Sequence, residues 1–216
     1  LEAFAADGEE VEAGKVIART SGFADVLLAG ERVALNLLQH LSGVATVTRQ
    51  FVRAVEGTSA KIADTRKTTP GLRMLEKYAV LLGGGVNHRY GLDDGVCIKA
   101  NLAGIAGGLR AAVKSARATI GHVHMIAVEV ANKSEAAEAI ENGANVLVVD
   151  GLGPAELADL IGHVRDLSAQ VTVEVSGSIT LENVRAFAEA GPNLIRVDAL
   201  TQSVRAMAIG FQIQPG

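Results

Sequence analysis

The chain has 216 residues and a formal net charge of −4, and with 49% apolar and 20% charged residues it has a globular rather than a disordered composition. Its longest stretch without Asp, Glu, Lys or Arg is Val33–Thr48, which is shorter than the roughly 20 apolar residues of a membrane-spanning helix. The single cysteine excludes an internal disulfide and fits a reducing cytosol, while the negative charge and few aromatic residues argue against a nucleic-acid-binding surface.

The first thirty residues carry four glycines between short apolar runs such as Val16-Ile17-Ala18 and Val26-Leu27-Leu28. This pattern predicts small β-hairpins without a sizeable core of their own. The chain does not start at a methionine, and we expect further residues of the natural protein to precede it. Between residues 31 and 55, apolar residues recur at helical spacing on both sides of Gly43, which predicts two helices or one kinked helix.

Beyond residue 58, short apolar runs alternate with helical patterns. Such runs are typical of parallel strands that are buried on both faces. The candidate strands are Ala60–Asp64, Gly95–Lys99, Met125–Val130, Val146–Asp150, Val171–Val175 and Leu194–Asp198, and the candidate helices are Gly108–Arg117, Ser134–Asn142, Pro154–Leu167 and Leu181–Ala190.

An internal repeat supports this alternation. The segment Glu141–Asp150 parallels Glu189–Asp198 at an offset of 48 residues, and Asp150, Glu174 and Asp198 are spaced 24 residues apart, about one βα unit each. Repeated βα units predict an α/β fold, either a (β/α) barrel or a doubly wound sheet. Since at most seven strands fit into the chain, we expect an open or seven-stranded barrel.

Polar residues stand where the predicted strands end. Because the carboxyl ends of barrel strands build the active site, we expect these side chains to meet at one mouth. Cations follow the early strands and carboxylates mainly the later ones: Arg66, Lys67, Lys99, Glu129, Asp150, Glu174, Ser176 and Asp198. This division fits an anionic substrate beside a metal-bound phosphate ligand, since Mg²⁺ is usually bound by one or two carboxylates together with phosphate oxygens.

Several blocks of the sequence resemble one known family. The block Asp64-Thr-Arg-Lys-Thr-Thr-Pro-Gly-Leu-Arg73 is followed by Glu76-Lys-Tyr-Ala-Val80 and by Gly83-Gly-Gly-Val-Asn-His-Arg89. Together with Glu31-Arg-Val-Ala-Leu-Asn36 and Ala199-Leu-Thr201, these blocks resemble quinolinate phosphoribosyltransferase, also called nicotinate-nucleotide pyrophosphorylase (carboxylating). The resemblance covers nearly the whole chain.

The resemblance implies transfer of a phosphoribosyl group from phosphoribosyl pyrophosphate to quinolinate, giving nicotinate mononucleotide, pyrophosphate and CO₂ in NAD biosynthesis. It implies Mg²⁺ as cofactor, a cytoplasmic location, and a homodimer in which each N-terminal α/β sandwich domain covers the partner's barrel. Neither nucleic acid nor a membrane is an expected partner. Residues 1–41 are then a truncated sandwich domain with a connecting helix, 42–203 the barrel, and 204–216 a segment returning to the sandwich domain.

The resemblance also assigns roles to residues. The cationic lining for the pyridine dicarboxylate is expected from Arg66, Lys67, His88, Arg89 and Lys99. Glu129 and Asp150 are expected near the ribose and as Mg²⁺ ligands, and with Lys67 and Lys99 they form the expected catalytic set. Ser176 and Gly177 are expected to receive the 5′-phosphate through backbone amides, and Arg32 to reach into the neighbouring subunit's site.

Several positions depart from the family pattern on the phosphoribosyl pyrophosphate side. Where the family has Asp-Asn-His, Asn, Ser-Gly-Gly and His, this chain has Ala100-Asn101-Leu102, Gly151, Ser176-Gly177-Ser178 and Gln202. Within the expected substrate-binding set, Asp198 replaces a glycine, and its carboxylate repels phosphate oxygens unless a cation pairs with it. Arg196, two residues earlier on the same strand face, is the candidate partner, and the sequence leaves open whether the pair forms.

Two alternatives stay open beside the family activity. One is a divergent paralogue acting on another aromatic acid, and the other is a catalytically inactive member kept as an anion-binding protein. The four remaining histidines are interpreted as non-functional: His40, His122, His124 and His163. Cys97, in the middle of a predicted strand, is interpreted as a buried apolar residue.

Overall fold

The structure, a computed structural model, describes residues 1–214. The strands are β1 (Glu2–Ala3), β2 (Ala18–Arg19), β3 (Lys61–Ala63), β4 (Gly95–Ile98), β5 (Met125–Val130), β6 (Val146–Asp150), β7 (Thr172–Ser176) and β8 (Leu194–Arg196). The helices are α1 (Ala24–Ala54), α2 (Arg73–Leu82), α3 (Ala100–Ile105), α4 (Leu109–Thr119), α5 (Lys133–Glu141), α6 (Pro154–Leu167), α7 (Val184–Glu189) and α8 (Ala199–Gln202). Among these described residues, no helix is long and apolar enough to cross a membrane.

Strands β3 to β8 form a parallel sheet in the order β3-β8-β7-β6-β5-β4, so the first and last of them in sequence are neighbours. This order makes the sheet a barrel that is open between β3 and β4. On the β3 side of this gap, Val86 forms an isolated β-bridge with Ala63. On the β4 side, the Arg89 side chain donates a hydrogen bond to the Gly95 carbonyl oxygen at 2.7 Å. The predicted open (β/α) barrel is confirmed.

The strands alternate between a face that packs on the helices and a face that lines the barrel. On β7, Val173 and Val175 belong to the buried core, whereas Thr172, Glu174 and Ser176 point to the other side. The helix-facing core of the other strands consists of Ile62, Ile98, Ile126, Val128, Leu147, Val149 and Ile195. Burying each of these side chains contributes roughly 1.5–3 kcal/mol, so the apolar outer face holds the sheet together. The barrel-lining face carries polar groups such as Glu174 beside apolar ones such as Val148.

The alternating pattern locates most elements of the barrel correctly. The predicted strands Met125–Val130 and Val146–Asp150 and the predicted helix Pro154–Leu167 have the observed bounds, and the others are present with shifted ends. The last strand ends at Arg196 instead of Asp198, because the Asp198 carbonyl oxygen already accepts hydrogen bonds from the amides of the first turn of α8. Helices α2, α3 and α8 are not among the predicted elements.

The prediction for the N-terminal region is wrong in part. Antiparallel pairing is confined to β1 with β2, and Val26-Leu27-Leu28 lies inside α1 rather than in a hairpin. Helix α1 is a single helix that continues through Gly43. Glycine is needed there because a Cβ at this position would overlap the carbonyl oxygen of Arg205, which passes close to the helix.

The C-terminal segment, residues 203–214, contains no strand and runs along α1. The Gln39 side chain donates to the Ile209 carbonyl oxygen at 2.6 Å, and the Met207 amide donates to the Gln39 carbonyl oxygen at 2.9 Å. Residues 215 and 216 of the predicted segment 204–216 lie outside the described residues. The predicted boundary at residues 41 and 42 falls inside α1, and the three domain spans stay predictions.

Candidate active site

The predicted site residues lie at the carboxyl ends of the barrel strands. They comprise Lys67 after β3, Lys99 after β4, Glu129 on β5, Asp150 at the end of β6, Ser176 at the end of β7 and Asp198 after β8. Glu129 is in register with Val148, and Asp150 is in register with Ser176. Since parallel strands end at the same edge of a sheet, the structure brings these residues to one mouth.

His88 and Arg89 lie on the segment at the gap between β3 and β4, and a buried ion pair fixes the backbone there. Lys77 Nζ lies 2.5 Å from Asp64 Oδ1 and donates to the His88 carbonyl oxygen at 2.8 Å, while the His88 amide donates to Asp64 Oδ1 at 2.8 Å. Burial raises the pKa of Asp64, and the hydrogen bonds from Lys77 and the His88 amide oppose this rise. Sequence reasoning assigned no role to Lys77, although it lies within a block that carries the family resemblance.

A second polar cluster lies inside the barrel around Glu174. Its Oε1 is 3.3 Å from His88 Nε2 and 3.6 Å from Arg196 Nε. Five buried side-chain atoms have no hydrogen-bond partner within residues 1–214, and four of them belong to residues on or after the strands β3, β7 and β8: Arg66 Nε, Glu174 Oε1, Ser176 Oγ and Arg196 Nε. The fifth is His124 Nδ1, just before β5. Because proteins pair nearly all of their buried polar groups, these open donors and this acceptor indicate a place where a polar ligand binds.

The candidate ion pair between Arg196 and Asp198 is not formed. Strand β8 ends at Arg196, so the two-residue alternation does not reach Asp198, and Arg196 faces Glu174 instead. Asp198 Oδ2 lies 2.6 Å from Lys67 Nζ. The lysine side chain of this pair is 63% exposed and the aspartate side chain 33%. A depression of about 460 Å³ adjoins this pair between the loop after β3 and α8.

Gly177 shapes the turn that follows β7. Its φ of 136° lies in the region that favours glycine. A Cβ at this position would lie 3.3 Å from Asp150 Oδ1, which is a tight contact. Glycine therefore lets the turn with Ser176 pack against the carboxylate at the end of β6.

Arg32 is the predicted site residue that the structure does not bring to the mouth. It lies on the exposed first half of α1, with its side chain 71% exposed and its guanidinium 3.7 Å from Glu31. Lys99 is exposed and Glu129 half-buried. Within residues 1–214, neither of these two forms an ion pair, so both charges are available to a ligand.

The structure adds to the interpretation of His40 and corrects that of Cys97, both of which lie outside the predicted site. His40 Nε2 lies 2.7 Å from Glu76 Oε1, and the other oxygen of this buried carboxylate accepts from the Thr69 amide at 3.1 Å. His40 therefore has a structural role, tying α1 to α2 and to the loop after β3. Cys97 is partly exposed rather than buried, because it lies on the barrel-lining face of β4.

The carboxylates of Glu129 and Asp150 are the predicted Mg²⁺ ligands. In the described part of the chain, no group of three or more His, Cys, Asp or Glu side chains is placed to hold a metal ion by itself. Mg²⁺ often takes only one or two protein carboxylates and completes its coordination with water and phosphate oxygens. The donor set at the mouth fits a metal that is bound together with a phosphate ligand.

Comparison with protein families places the chain in a known group. Residues 44–212 match the model of the quinolinate phosphoribosyl transferase C-terminal domain, and residues 1–42 match that of its N-terminal domain. A protein of Bacillus subtilis described as a probable nicotinate-nucleotide pyrophosphorylase [carboxylating] is 47% identical over 208 residues, which cover 96% of this chain and 71% of the relative. The human nicotinate-nucleotide pyrophosphorylase [carboxylating] is 36% identical over 97% of this chain and 71% of its own.

Solved structures agree with this result. NadC from Streptococcus pyogenes has a TM-score of 0.89 at 35% identity, covering 95% of this chain and 71% of the other. The nicotinate-nucleotide pyrophosphorylase from Ehrlichia chaffeensis has a TM-score of 0.85 at 36% identity, covering 97% of this chain and 75% of the other. Fold and sequence therefore point to the same family.

Proposed function

The chain belongs to the quinolinate phosphoribosyltransferase family of enzymes, and from this premise we propose that it transfers phosphoribosyl from phosphoribosyl pyrophosphate to quinolinate with loss of CO₂. The observation that carries the proposal is the division of charge at the barrel mouth. Arg66, Lys67 and Lys99 follow the early strands, and the carboxylates of Glu129 and Asp150 stand on β5 and β6. A dianionic acid and a metal-bound diphosphate are the two ligands that such a mouth suits.

The dicarboxylate is recognised by cations held in place before it binds. Guanidinium groups meet carboxylates with two parallel hydrogen bonds and stay charged at all working pH values. Arg89 donates to the Gly95 carbonyl oxygen, which fixes one side of its guanidinium at the barrel gap. Arg66 presents a buried Nε without a partner in residues 1–214. The two arginines and His88 thus bind the acid near β3 and β4.

In the transfer step, the ring nitrogen of the acid forms a bond to the anomeric carbon of the ribose while the bond to pyrophosphate breaks. Positive charge develops on the ribose, and the Glu129 carboxylate stabilises it. The ammonium groups of Lys67 and Lys99 stabilise the negative charge that develops on the departing pyrophosphate. The positive charge of the quaternised ring nitrogen then stabilises the electron pair that stays on the neighbouring ring carbon when the 2-carboxylate leaves as CO₂, and a proton from water bonds to that carbon.

We further propose Mg²⁺ as the metal, with Glu129 and Asp150 as its protein ligands. The bound ion would offset the charge of the diphosphate. The turn of Ser176 and Gly177 receives the 5′-phosphate, since backbone amides at such turns bind anions. The unpaired thiol of Cys97 fits a location in the cytoplasm, where thiols stay reduced.

The test is turnover with alternative acids. We expect nicotinate mononucleotide to form from quinolinate and phosphoribosyl pyrophosphate with Mg²⁺, and not from other pyridine acids. Product only with another aromatic acid would support the divergent paralogue instead. Binding of the donor or acid without any turnover would support an inactive anion-binding protein.

Arg89→Ala is expected to weaken quinolinate binding by roughly 2–4 kcal/mol, the scale for losing a charge-assisted fork from a desolvated site. Calorimetry in the absence of the donor measures this directly. Arg110→Ala, which removes an exposed arginine from α4, is the matched control and leaves the affinity unchanged. An unchanged affinity in Arg89→Ala would remove this residue from the acid site.

Asp198→Asn is expected to lower the KM for phosphoribosyl pyrophosphate about tenfold. The change releases Lys67 and removes a carboxylate, whose repulsion of a phosphate charge about 6 Å away is roughly 3 kcal/mol at an effective dielectric of 20. Because Lys67 already neutralises part of the Asp198 charge in the wild type, the gain is smaller than this repulsion alone would give. Asp159→Asn breaks an equally short exposed pair with Lys133, at 2.7 Å, and serves as the control. A raised donor KM in Asp198→Asn would mean that Asp198 itself helps to bind the donor.

We propose that the active protein is a dimer of this chain. Phe23, just before α1, and Val26, Leu28 and Val33 in its first half are 58–82% exposed. They form an apolar surface that a second copy covers. Arg32 lies on the same stretch and would enter the partner's site. Mixing Arg32→Ala with Lys99→Ala, each inactive alone, is expected to restore part of the activity, because one of the two sites in a mixed dimer lacks neither residue. Absence of recovery while subunits demonstrably exchange would place Arg32 outside the partner's site.

A further inference from the structure

A barrel proposed to bind anions carries a buried carboxylate in its interior. Glu174 is 1% exposed and lies in the middle of β7 on the barrel-lining face. A buried charge is costly unless other charges or hydrogen bonds compensate it. A negative charge at this place repels an anionic substrate. The presence of Glu174 therefore needs another physical reason.

Two basic side chains lie against one oxygen of this carboxylate. His88 Nε2 lies 3.3 Å and Arg196 Nε 3.6 Å from Glu174 Oε1. Neither contact is a hydrogen bond, and in residues 1–214 both Glu174 Oε1 and Arg196 Nε stay without a hydrogen-bond partner. The carboxylate thus attracts the Arg196 guanidinium by charge and lies against the His88 imidazole, while the hydrogen-bonding capacity of Arg196 Nε stays open to a ligand.

His88 is already fixed at its backbone, where the Asp64 carboxylate accepts from its amide and Lys77 donates to its carbonyl oxygen. Only the side-chain torsions of His88 stay free, and Glu174 is the charged group that faces the imidazole from across the barrel. The carboxylate lies on a rigid strand between two other strands of the sheet, so its own position is well determined.

We propose that Glu174 is a positioning residue: it aligns the His88 imidazole and the Arg196 guanidinium inside the barrel so that the carboxylates of the acid substrate find both in place. The proposal rests on the proposed function. This role differs from that of Arg66 and Arg89, because Glu174 acts through the side chains of His88 and Arg196 and does not contact the substrate.

A double-mutant cycle tests this coupling. Glu174→Ala is expected to weaken quinolinate binding about tenfold in the wild-type background and by less in the His88→Ala background, where only Arg196 is left to align. In the background that carries both His88→Ala and Arg196→Ala, the effect is expected to be less than twofold. Glu174→Gln, which keeps the size of the side chain but removes its charge, is expected to lose nearly as much affinity as Glu174→Ala, and it covers the case that Glu174→Ala does not fold. Glu189→Gln, which removes an exposed carboxylate paired with Arg185 on α7, is the control.

Two results would overturn the proposal. The full tenfold loss in the His88→Ala background would show that Glu174 acts independently of His88, and tighter binding in Glu174→Ala would show that it only repels the acid. The ring resonances of His88 in NMR spectra are a readout without substrate: they are expected to shift in Glu174→Gln while those of His163 do not. If the wild-type protein binds no quinolinate, the proposed function fails, and the ring resonances alone decide whether Glu174 aligns His88.

Discussion

Lys77→Met is expected to lower the free energy of unfolding by roughly 3–5 kcal/mol, the cost of removing one partner from a buried ion pair. Lys77 and Asp64 are both fully buried, so the change leaves the Asp64 carboxylate without its cation in a dry environment. It also removes the hydrogen bond to the His88 carbonyl oxygen. For a chain of this size, the corresponding fall of Tm is roughly 6–20 °C.

Thermal and urea unfolding measure this loss, and Lys133→Met provides the matched control. Lys133 also pairs with one aspartate, Asp159, but both side chains are largely exposed. Such pairs contribute roughly 0–1 kcal/mol, so this variant is expected to unfold close to the wild type. Equal stability of the two variants would contradict the account of the Asp64–Lys77 pair as the support of the segment with His88 and Arg89.

Glu129→Gln is expected to lower kcat by roughly 10²–10³-fold, the scale for removing one preorganised group that stabilises charge in a transition state. The amide keeps the shape of the side chain but not the charge that stabilises the developing cation on the ribose. Quinolinate affinity is expected to change less than twofold, because the acid site is built from cations on other strands. Glu141→Gln, at the exposed end of α5, is the control.

Single-turnover kinetics at saturating substrates separate this effect from donor binding. A loss that appears only in the KM for phosphoribosyl pyrophosphate would assign Glu129 to metal or ribose binding alone. An unchanged kcat would remove it from the reaction.

The barrel could be predicted from the sequence because its signal is local. Apolar runs bounded by polar residues locate β5 and β6 to the residue, and Pro154 marks the start of α6. The start of α1, residues 24–30, could not be located in this way, because Gly22 and Gly30 resemble turn residues and the exposed face is apolar. Nor does Gly43 interrupt α1, since its absent side chain makes room for Arg205.

The strand ends that form the site could likewise be predicted, whereas the pairing of charges inside it could not. The candidate Arg196–Asp198 pair assumes that strand alternation continues for two residues, but α8 begins there. The actual partners, Glu174 for Arg196 and Lys67 for Asp198, are brought together by the closure of the barrel. Such contacts between distant parts of the chain depend on the three-dimensional fold rather than on any local pattern.

The stoichiometry of the reaction tests the central claim most directly. With quinolinate, phosphoribosyl pyrophosphate and Mg²⁺, the account predicts one CO₂ and one pyrophosphate for each nicotinate mononucleotide formed, and no CO₂ when the donor is omitted, because decarboxylation requires the quaternised ring nitrogen. Pyrophosphate release without CO₂, or CO₂ release without the donor, would contradict it.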